Sequence, residues 1–399
     1  MHPVTEPRAI NRSAVLSVLL SGQPFERNQI VETTGLSRAT VFRIVDDLRT
    51  RGYVTDEGSV LSNSPGRPST PVVFNGALQT VCGIDLGGTN CRLALADALG
   101  RMLVRAKYPT PHELSGPEFG RWMARKVREL EASLPEGQGP LGAVSIGVPG
   151  AVAASKDSVL GAHNVPNILG SAFIDAFRED IGVPATLDND SNMALVGELQ
   201  FGSLDNNETA ALLTLGTGLG SAVALNGRVL YGRTGVLGEF GRLQIPGATV
   251  RLRDLVSGAG LVAYARSLGH GVGSASEILA DSQRFSAVLD MMRSALVHLV
   301  SLVGLSYEPR SIVVMGGFAD GLDDELFEWV QNEVLSLVGV SVVLSRTQLG
   351  DYSGLLGSIA MALGDLYASL GVLEEHIGSI RANREHTLSH LDHVPVFAG

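Results

Sequence analysis

Two glycine-rich turns, each lying between short apolar runs typical of buried strands, constrain the fold of this chain more than any other feature. The first turn is Asp85-Leu86-Gly87-Gly88-Thr89-Asn90, and the second is Gly216-Thr217-Gly218-Leu219-Gly220. After the second turn, Asn226-Gly227 predicts a tight hairpin into a further strand. The repeated order of strand, glycine turn and strand predicts an α/β protein that contains one structural unit twice.

The backbone N–H groups of such turns can approach phosphate oxygens closely, because glycine adopts the required dihedrals and carries no side chain. Two facing copies therefore predict a duplicated fold that binds a nucleotide between its halves. Neither turn is a Walker loop, and neither is a dinucleotide-binding fingerprint. For each turn taken alone, a purely structural role remains the alternative. The residues expected to contact phosphate are Asp85, Gly87, Gly88, Thr89, Asn90, Gly216, Thr217, Gly218 and Gly220.

The first 50 residues have the pattern of three short amphipathic helices. A turn at Gly35 separates the second helix from the third, and Ser37 is a candidate N-cap with Leu36 and Val41 as a hydrophobic staple around it. This is the plan of a helix-turn-helix, whose second helix enters the major groove of DNA. A three-helix cap without a ligand is the alternative. The residues expected to contact DNA are Ser37, Arg38, Ala39, Thr40 and Arg43.

A two-stranded wing is predicted next, from Arg51-Gly52-Tyr53-Val54 and Ser59-Val60-Leu61. The Gly66-Arg67-Pro68 tripeptide that follows is extended and slim, so Gly66 and Arg67 could enter a narrow A·T-rich minor groove. A plain linker is the alternative. The proline-rich run that ends at Pro71 is the predicted domain boundary.

Charge favours the N-terminal part as the DNA contact. The net charge is −11, whereas the first 75 residues carry eight arginines against seven acidic residues. An acidic body repels DNA, so contacts with DNA must come from those arginines. Neither a signal-peptide core nor an uninterrupted apolar run of membrane-spanning length is present. We therefore expect a cytoplasmic protein that does not contact a membrane.

Several motifs resemble those of a known family. Asp85–Asn90 is similar to the first phosphate loop of actin-like sugar kinases, and the stretch from Leu215 to Arg242 resembles the signature of the ROK (Repressor, ORF, Kinase) family. Gly316-Gly317 resembles the family's glycine loop on the adenosine side. With the helix-turn-helix, the resemblance covers residues 10–370.

The resemblance implies a winged helix-turn-helix followed by a two-lobed, actin-like (ribonuclease H-like, duplicated) sugar kinase fold. The expected boundaries are 1–75 for the DNA-binding domain with its proline-rich linker, 76–200 for the first lobe, and 201–399 for the second lobe with the C-terminal helices.

The same resemblance implies a sugar site. In the ROK kinases an Asn-Asp pair at the end of a strand binds sugar and activates its hydroxyl, which implies Asn189 as a sugar ligand and Asp190 as general base. Asn164 and Glu239 resemble two further sugar contacts. A helix-capping role is the alternative for Asp190, and the neighbouring Asp188 is expected to be a bystander or solvent-exposed.

The chain departs from the family at its zinc site. The family has a zinc-binding histidine after Gly-Glu-x-Gly and then a cysteine-rich loop, whereas this chain has Arg242 and no cysteine in residues 244–257. We therefore expect neither zinc nor another metal site. Arg242 suits an anionic ligand such as a sugar phosphate, or it pairs with Glu239.

Two functions follow from these features. The first is a transcriptional regulator of carbohydrate metabolism, expected to be a repressor, whose affinity for operator DNA is controlled by a sugar or sugar phosphate. It is expected to act as a homo-oligomer, either a dimer or a tetramer. The alternative is an ATP-dependent sugar kinase with an appended DNA-binding module, which would use ATP and Mg²⁺ and Asp190 as its catalytic base. The helix-turn-helix and the missing zinc loop favour the first function.

Overall fold

The computed structural model describes residues 6–57, 70–162, 164–205, 208–245, 249–378, 380 and 394–397. The chain divides by its contacts into two units. Unit 1 comprises residues 1–146, 164–187 and 358–399, and unit 2 comprises residues 147–163 and 188–357. This division differs from the expected boundaries at 75 and 200, because the N-terminal domain groups with the first sheet and the chain returns to unit 1 after residue 357.

The N-terminal domain contains three helices and two short strands. In the second helix, Gln29 closes a capping box with Glu26, and the helix ends at the left-handed Gly35. Ser37 caps the third helix, where its hydroxyl accepts the Thr40 N–H at 3.2 Å, as the sequence predicts. The elements are α1 (Pro7–Leu19), α2 (Arg27–Thr34), α3 (Arg38–Thr50), β1 (Val54–Asp56) and β2 (Val72–Phe74).

The strand that follows α3 pairs with a strand that the sequence did not predict. Strand β1 pairs antiparallel with β2, which lies beyond the proline-rich run, and Phe25 makes a further bridge to Val72. Val72 and Phe74 are buried, so apolar burial explains this choice of partner. The predicted strand Ser59–Leu61 and the Gly66-Arg67 pair lie outside the described residues.

The first large sheet has five strands in the order β5-β4-β3-β6-β9. Strand β3 pairs antiparallel with β4 across the first glycine turn, and β4 pairs antiparallel with β5 with a register shift between Leu95 and Ala96. Its elements, with the small hairpin that follows β6, are β3 (Thr80–Leu86), β4 (Asn90–Asp97), β5 (Met102–Pro109), α4 (Gly116–Ala132), β6 (Leu141–Val148), β7 (Ala151–Val152), β8 (Val159–Gly161), α5 (Ala172–Ile181) and β9 (Ala185–Asn189).

The second large sheet repeats this order, as β12-β11-β10-β13-β14. Numbered along the chain, each sheet has its strands in the order third, second, first, fourth, fifth, so the predicted duplication is present in the topology. The elements that build and cover this sheet are α6 (Asp190–Phe201), β10 (Ala210–Leu215), β11 (Leu219–Leu225), β12 (Arg228–Val229), α7 (Leu252–Leu255), α8 (Gly258–Ser267), α9 (Ala275–Ala280), α10 (Ser286–Tyr307), β13 (Ser311–Met315), α11 (Asp324–Val338) and β14 (Val343–Arg346).

Helix α10 is the one helix among the described residues that has the length and apolar composition to cross a membrane. Its central side chains, among them Leu289, Leu296 and Leu299, lie in the hydrophobic core of unit 2. Helix α10 therefore belongs to the interior of a folded unit.

Two helices end the described chain: α12 (Ser353–Ser369) and α13 (Glu374–Ile377). After α12 the chain contacts the first helix of the N-terminal domain. The buried hydroxyl of Ser13 accepts the Leu373 N–H at 2.8 Å and lies 2.6 Å from Nδ1 of His376. Further on, Pro395 and Phe397 bond to the backbone of Arg105 at the edge of β5. These parts of the tail are therefore docked on the rest of unit 1.

Candidate functional site

The exposed face of α3 carries the residues predicted to contact DNA. Ser37, Arg38, Ala39 and Arg43 are exposed, and Thr40 is half-buried. Arg38 lies over the ring of Phe42 at 5.0 Å. Within the described residues, neither Arg38 nor Arg43 forms an ion pair, so their charges are available to an anionic partner.

The other three arginines between Arg27 and Arg51 are engaged by acidic residues. Arg27 bonds to Asp46 at 2.5 Å, Arg49 bonds to Asp56, and Arg51 bonds to Asp47 at 3.1 Å. Within this stretch, Arg38 and Arg43 are therefore the arginines without an acidic partner, and sequence reasoning assigned both of them to DNA.

The first glycine turn joins β3 to β4 in unit 1. Gly87 N–H donates to the carbonyl of Asn90 at 2.8 Å, which closes the turn, and Thr110 Oγ1 donates to the carbonyl of Gly87 at 2.8 Å. At its start, the carboxylate of Asp85 accepts a bond from the cross-strand neighbour Arg92 at 3.3 Å.

The same turn lies against Asn164, one of the predicted sugar contacts. A Cβ placed on Gly88 would come within 3.2 Å of the Asn164 Cβ, so the two residues are in direct contact. The carbonyl of Gly88 is 2.7 Å from Nε2 of His112. Because a carbonyl only accepts, this nitrogen carries the proton and donates to Gly88. His112 was missed by sequence reasoning because no motif contains it.

The second glycine turn joins β10 to β11 in unit 2. Gly216 N–H donates to the carbonyl of Gly218 at 3.0 Å, and the carbonyl of Gly216 accepts from Gly258 N–H at 2.9 Å. A Cβ on Gly316 would lie 2.6 Å from the carbonyl of Leu215. The structure therefore places Gly316 against the start of the predicted glycine loop at 216–220.

Helix α6 starts beside this turn and carries the predicted sugar-binding pair. Asn189 is the N-cap: its Oδ1 accepts the N–H groups of Ser191 at 2.9 Å and Asn192 at 3.3 Å, and its Nδ2 donates to the carbonyl of Gly150 at 2.8 Å. This leaves one N–H of the Asn189 amide for a ligand.

Asp190 is the first residue of α6, and its carboxylate accepts the Ser191 N–H at 2.7 Å. The Ser191 hydroxyl lies 3.3 Å from the Thr214 hydroxyl on β10 and packs against Gly220. A carboxylate at this helix start, next to a glycine turn, has the placement that a general base for a bound hydroxyl requires.

The neighbouring Asp188 corrects the expectation that it is a bystander or solvent-exposed. Its side chain is 4% exposed, and one oxygen accepts from Lys156 Nζ at 2.9 Å. The other oxygen accepts the Asn189 N–H at 2.7 Å and the Asn192 amide at 2.9 Å. A buried carboxylate needs such partners, because desolvation of an unpaired charge is costly.

Tyr231 completes this cluster. Its ring lies 4.6 Å from Lys156 Nζ, and burial together with the adjacent Asp188 carboxylate raises the pKa of its hydroxyl. The Tyr231 hydroxyl accepts a hydrogen bond from Lys156 Nζ at 3.5 Å. No sequence motif contains Lys156 or Tyr231, and the one available signal was a carboxylate in an apolar strand, which requires a partner.

Glu239 and Arg242 pair with each other. The Arg242 Nε donates to Glu239 Oε2 at 3.2 Å within one turn of chain, and both side chains are substantially exposed. Of the two roles that the sequence left open for Arg242, the structure has the ion pair. An exposed pair of this kind is weak, so an anionic ligand could displace it.

The residues at the position of the family's zinc loop do not fit a zinc ion. Its described part offers arginines and Asp254, and no group of three or more His, Cys, Asp or Glu side chains suited to a metal was found among the described residues. Both cysteines lie in β3 and β4, where burial raises the pKa of the Cys82 and Cys91 thiols. His163, Gly66 and Arg67 lie outside the described residues.

The model of the ROK family matches residues 81–365, which is most of the chain. The chain belongs to the ROK family. The glycine turns, the sheet order and the Asn-Asp pair at the start of α6 are thus parts of a ROK sugar-kinase-like fold.

Relatives in this family include both kinases and repressors. An N-acetyl-D-glucosamine kinase of Salmonella paratyphi A is 27% identical over 71% of this chain and 99% of the kinase. A putative xylose repressor of Caldicellulosiruptor sp. (strain Rt8B.4) is 24% identical over 90% of this chain and 97% of the repressor. The crystal structure of a ROK family transcriptional regulator, a homologue of the E. coli MLC protein, is 19% identical with a TM-score of 0.75, over 93% of this chain and 99% of that one.

Proposed function

We propose that the protein is a DNA-binding transcriptional regulator of carbohydrate metabolism, a repressor whose affinity for its operator is set by a sugar or sugar phosphate. The observation that carries the proposal is the charge pattern on α3. Arg38 and Arg43 project without acidic partners, whereas Arg27, Arg49 and Arg51 are neutralised. Arginine side chains at the start of a recognition helix suit guanine edges and phosphates.

The extent of the similarities supports the same proposal. Residues 76–399 make up about four fifths of the chain, so a match over 90% must include part of the N-terminal domain. The putative repressor matches to that extent, whereas the N-acetyl-D-glucosamine kinase matches over 71%. Part of the N-terminal domain is therefore what this chain has in common with that putative repressor and not with that kinase.

The DNA surface is tested with genomic fragments retained by the purified protein. Arg43→Ala should weaken binding to a retained fragment about tenfold or more, because one base or phosphate contact is worth roughly 1–3 kcal/mol. Arg51→Ala is the matched control: it is an exposed arginine near the other end of the same helix, already paired with Asp47, and should change binding less than twofold. Equal effects of the two variants would contradict this placement of the DNA surface.

The effector is tested by titrating the bound DNA with glucose, xylose, N-acetylglucosamine and glucose 6-phosphate. One of them should change the affinity for DNA, and Asp190→Asn should remove that response while leaving DNA binding intact. Sedimentation of the protein bound to DNA would show whether a dimer or a tetramer binds the operator. Neither ATP nor a metal is required for this function.

A sugar kinase is the second candidate, favoured by the placement of Asp190 beside the second glycine turn. In that function the turn at 216–220 would hold phosphate, Asp85 would be an outer partner of Mg²⁺, and Asp190 would accept the proton of a sugar hydroxyl. Sugar-stimulated ATP hydrolysis that Asp190→Asn abolishes would establish a kinase. The absence of ATP hydrolysis with all four sugars would leave transcriptional regulation as the one remaining function of the two.

A further inference from the structure

The hairpin β7–β8 is fastened to the start of α6 at two places. At its base, the carbonyl of Gly150 accepts from the Asn189 amide at 2.8 Å. At its tip, Lys156 Nζ donates to Asp188 at 2.9 Å. The two residues held in this way directly precede Asp190, the acid of the candidate sugar site.

The tip of the hairpin holds a residue that its backbone does not favour. Lys156 has φ of 56°, in the left-handed region, and its N–H closes a turn onto the carbonyl of Ala153 at 2.8 Å. Glycine or asparagine adopts this conformation at lower cost. A lysine kept under backbone strain indicates that its side chain is needed there, and the partner of that side chain is the buried Asp188.

We propose that Lys156 is a positioning residue for the sugar site, acting through Asp188; the proposal rests on the proposed function of that site. The ammonium holds one oxygen of Asp188, so that the other oxygen is directed to the Asn189 N–H and the Asn192 amide. These bonds set the junction between β9 and α6. The junction in turn fixes the Asn189 amide and the Asp190 carboxylate in the orientation in which they meet a sugar hydroxyl.

The ion pair of Lys156 with Asp188 favours a positioning role for Lys156 over direct contact with the ligand. The charge of Lys156 is already matched by a buried carboxylate, so the residue adds little attraction for an anionic sugar. Its contribution is to hold Asp188 in place, with both carboxylate oxygens accepting hydrogen bonds. An uncharged replacement leaves the carboxylate with hydrogen bonds alone, and the first turn of α6 then loosens.

The test uses hydrogen exchange of the full-length protein, read in the peptide that covers residues 189–193. Lys156→Asn suits the left-handed backbone and removes the charge, so faster exchange there cannot arise from hairpin strain. Lys156→Arg keeps the charge and should restore slow exchange, and Ser155→Ala, a neighbour whose hydroxyl contacts Asp157, should leave it unchanged. Unchanged exchange at 189–193 in Lys156→Asn would overturn the proposal.

A second experiment measures how the Lys156 variants bind a sugar. With the sugar that the wild type binds most tightly among glucose, xylose, N-acetylglucosamine and glucose 6-phosphate, Lys156→Asn should lose affinity about tenfold or more, and Lys156→Arg should recover most of it. Lost affinity in both variants alike would also overturn the proposal. If the wild type binds none of the four, the proposed function fails for these sugars, and the exchange result alone decides the role of Lys156.

Discussion

The two glycine turns close sheets of identical strand order, yet they are held in place by different groups. In unit 1 the loop after β5 holds the turn with two side chains and one backbone group: Thr110 Oγ1 donates to Gly87, His112 donates to Gly88, and Thr110 N–H donates to the carbonyl of Thr89 at 3.0 Å. In unit 2 the turn is held by backbone, through Gly258 N–H and the close approach of Gly316. The same glycine-rich sequence pattern can therefore be held in place by different groups in the two units.

Each turn also lies against a polar residue at or beside a predicted sugar contact of its own unit. In unit 1, Gly88 contacts Asn164, and in unit 2, Gly220 contacts Ser191, which follows Asp190. In both units the missing side chain of a glycine therefore leaves room for a neighbouring polar residue.

The largest expected effect is at Gly220. A Cβ there would clash with the hydroxyl of the buried Ser191, which could move away only by breaking its bonds to Asp190 and Thr214. Gly220→Ala should lower the free energy of unfolding by about 2–3 kcal/mol, as measured by urea denaturation. Gly218→Ala, where a Cβ meets nothing within 4 Å, is the control and should change it by about 0.5 kcal/mol or less.

Thr110→Val tests the support of the first turn. The Thr110 side chain is buried, and its loss of the hydroxyl leaves the carbonyl of Gly87 without that donor. We expect a destabilisation of about 1–1.5 kcal/mol in the same urea experiment. No change would mean that the two turns are supported alike, by backbone.

Ser191→Ala tests the link between α6 and the second turn. The hydroxyl of Ser191 is 3.3 Å from both Asp190 and Thr214, so each bond is long and weak. The expected loss is about 0.5–1 kcal/mol, smaller than for Thr110→Val. A larger loss would show that side-chain support dominates in unit 2 as well.

The smallest effect is expected for His112→Ala, because this side chain is exposed and water can replace its bond to Gly88. Global stability should change by a few tenths of a kcal/mol. Exchange of the amides in residues 87–90 should nevertheless become faster, which separates local support of the turn from stability of the fold. Unchanged exchange at residues 87–90 would mean that His112 does not help to hold the first glycine turn.

The sequence predicted the features that arise from local pattern. Both strand–turn–strand units, the three N-terminal helices and the capping role of Ser37 follow from the residues beside them. The pairing of β1 with β2 did not follow, because strand pairing over a long connection depends on which apolar residues find burial.

The site was predictable where a motif contains the residue, and not where a distant partner determines it. Asp188 looked like a surface acid because its counter-ion, Lys156, is 32 residues away on another element. The two roles considered for Arg242 could not be separated from the sequence, because a local ion pair and an exposed ligand contact require the same residue. For Asn189 the two roles are compatible: its Oδ1 caps α6, while its Nδ2 keeps one N–H that can donate to a ligand.

The bonds of Ser13 bear on how the chain becomes folded as the ribosome makes it. The three N-terminal helices emerge early, but the partners of the Ser13 hydroxyl, Leu373 and His376, are 360 and 363 residues further along. Contacts of such sequence separation form late. In a nascent chain the Ser13 hydroxyl of the first helix is therefore still without these two partners. It can form its bonds to Leu373 and His376 only after synthesis has passed residue 376.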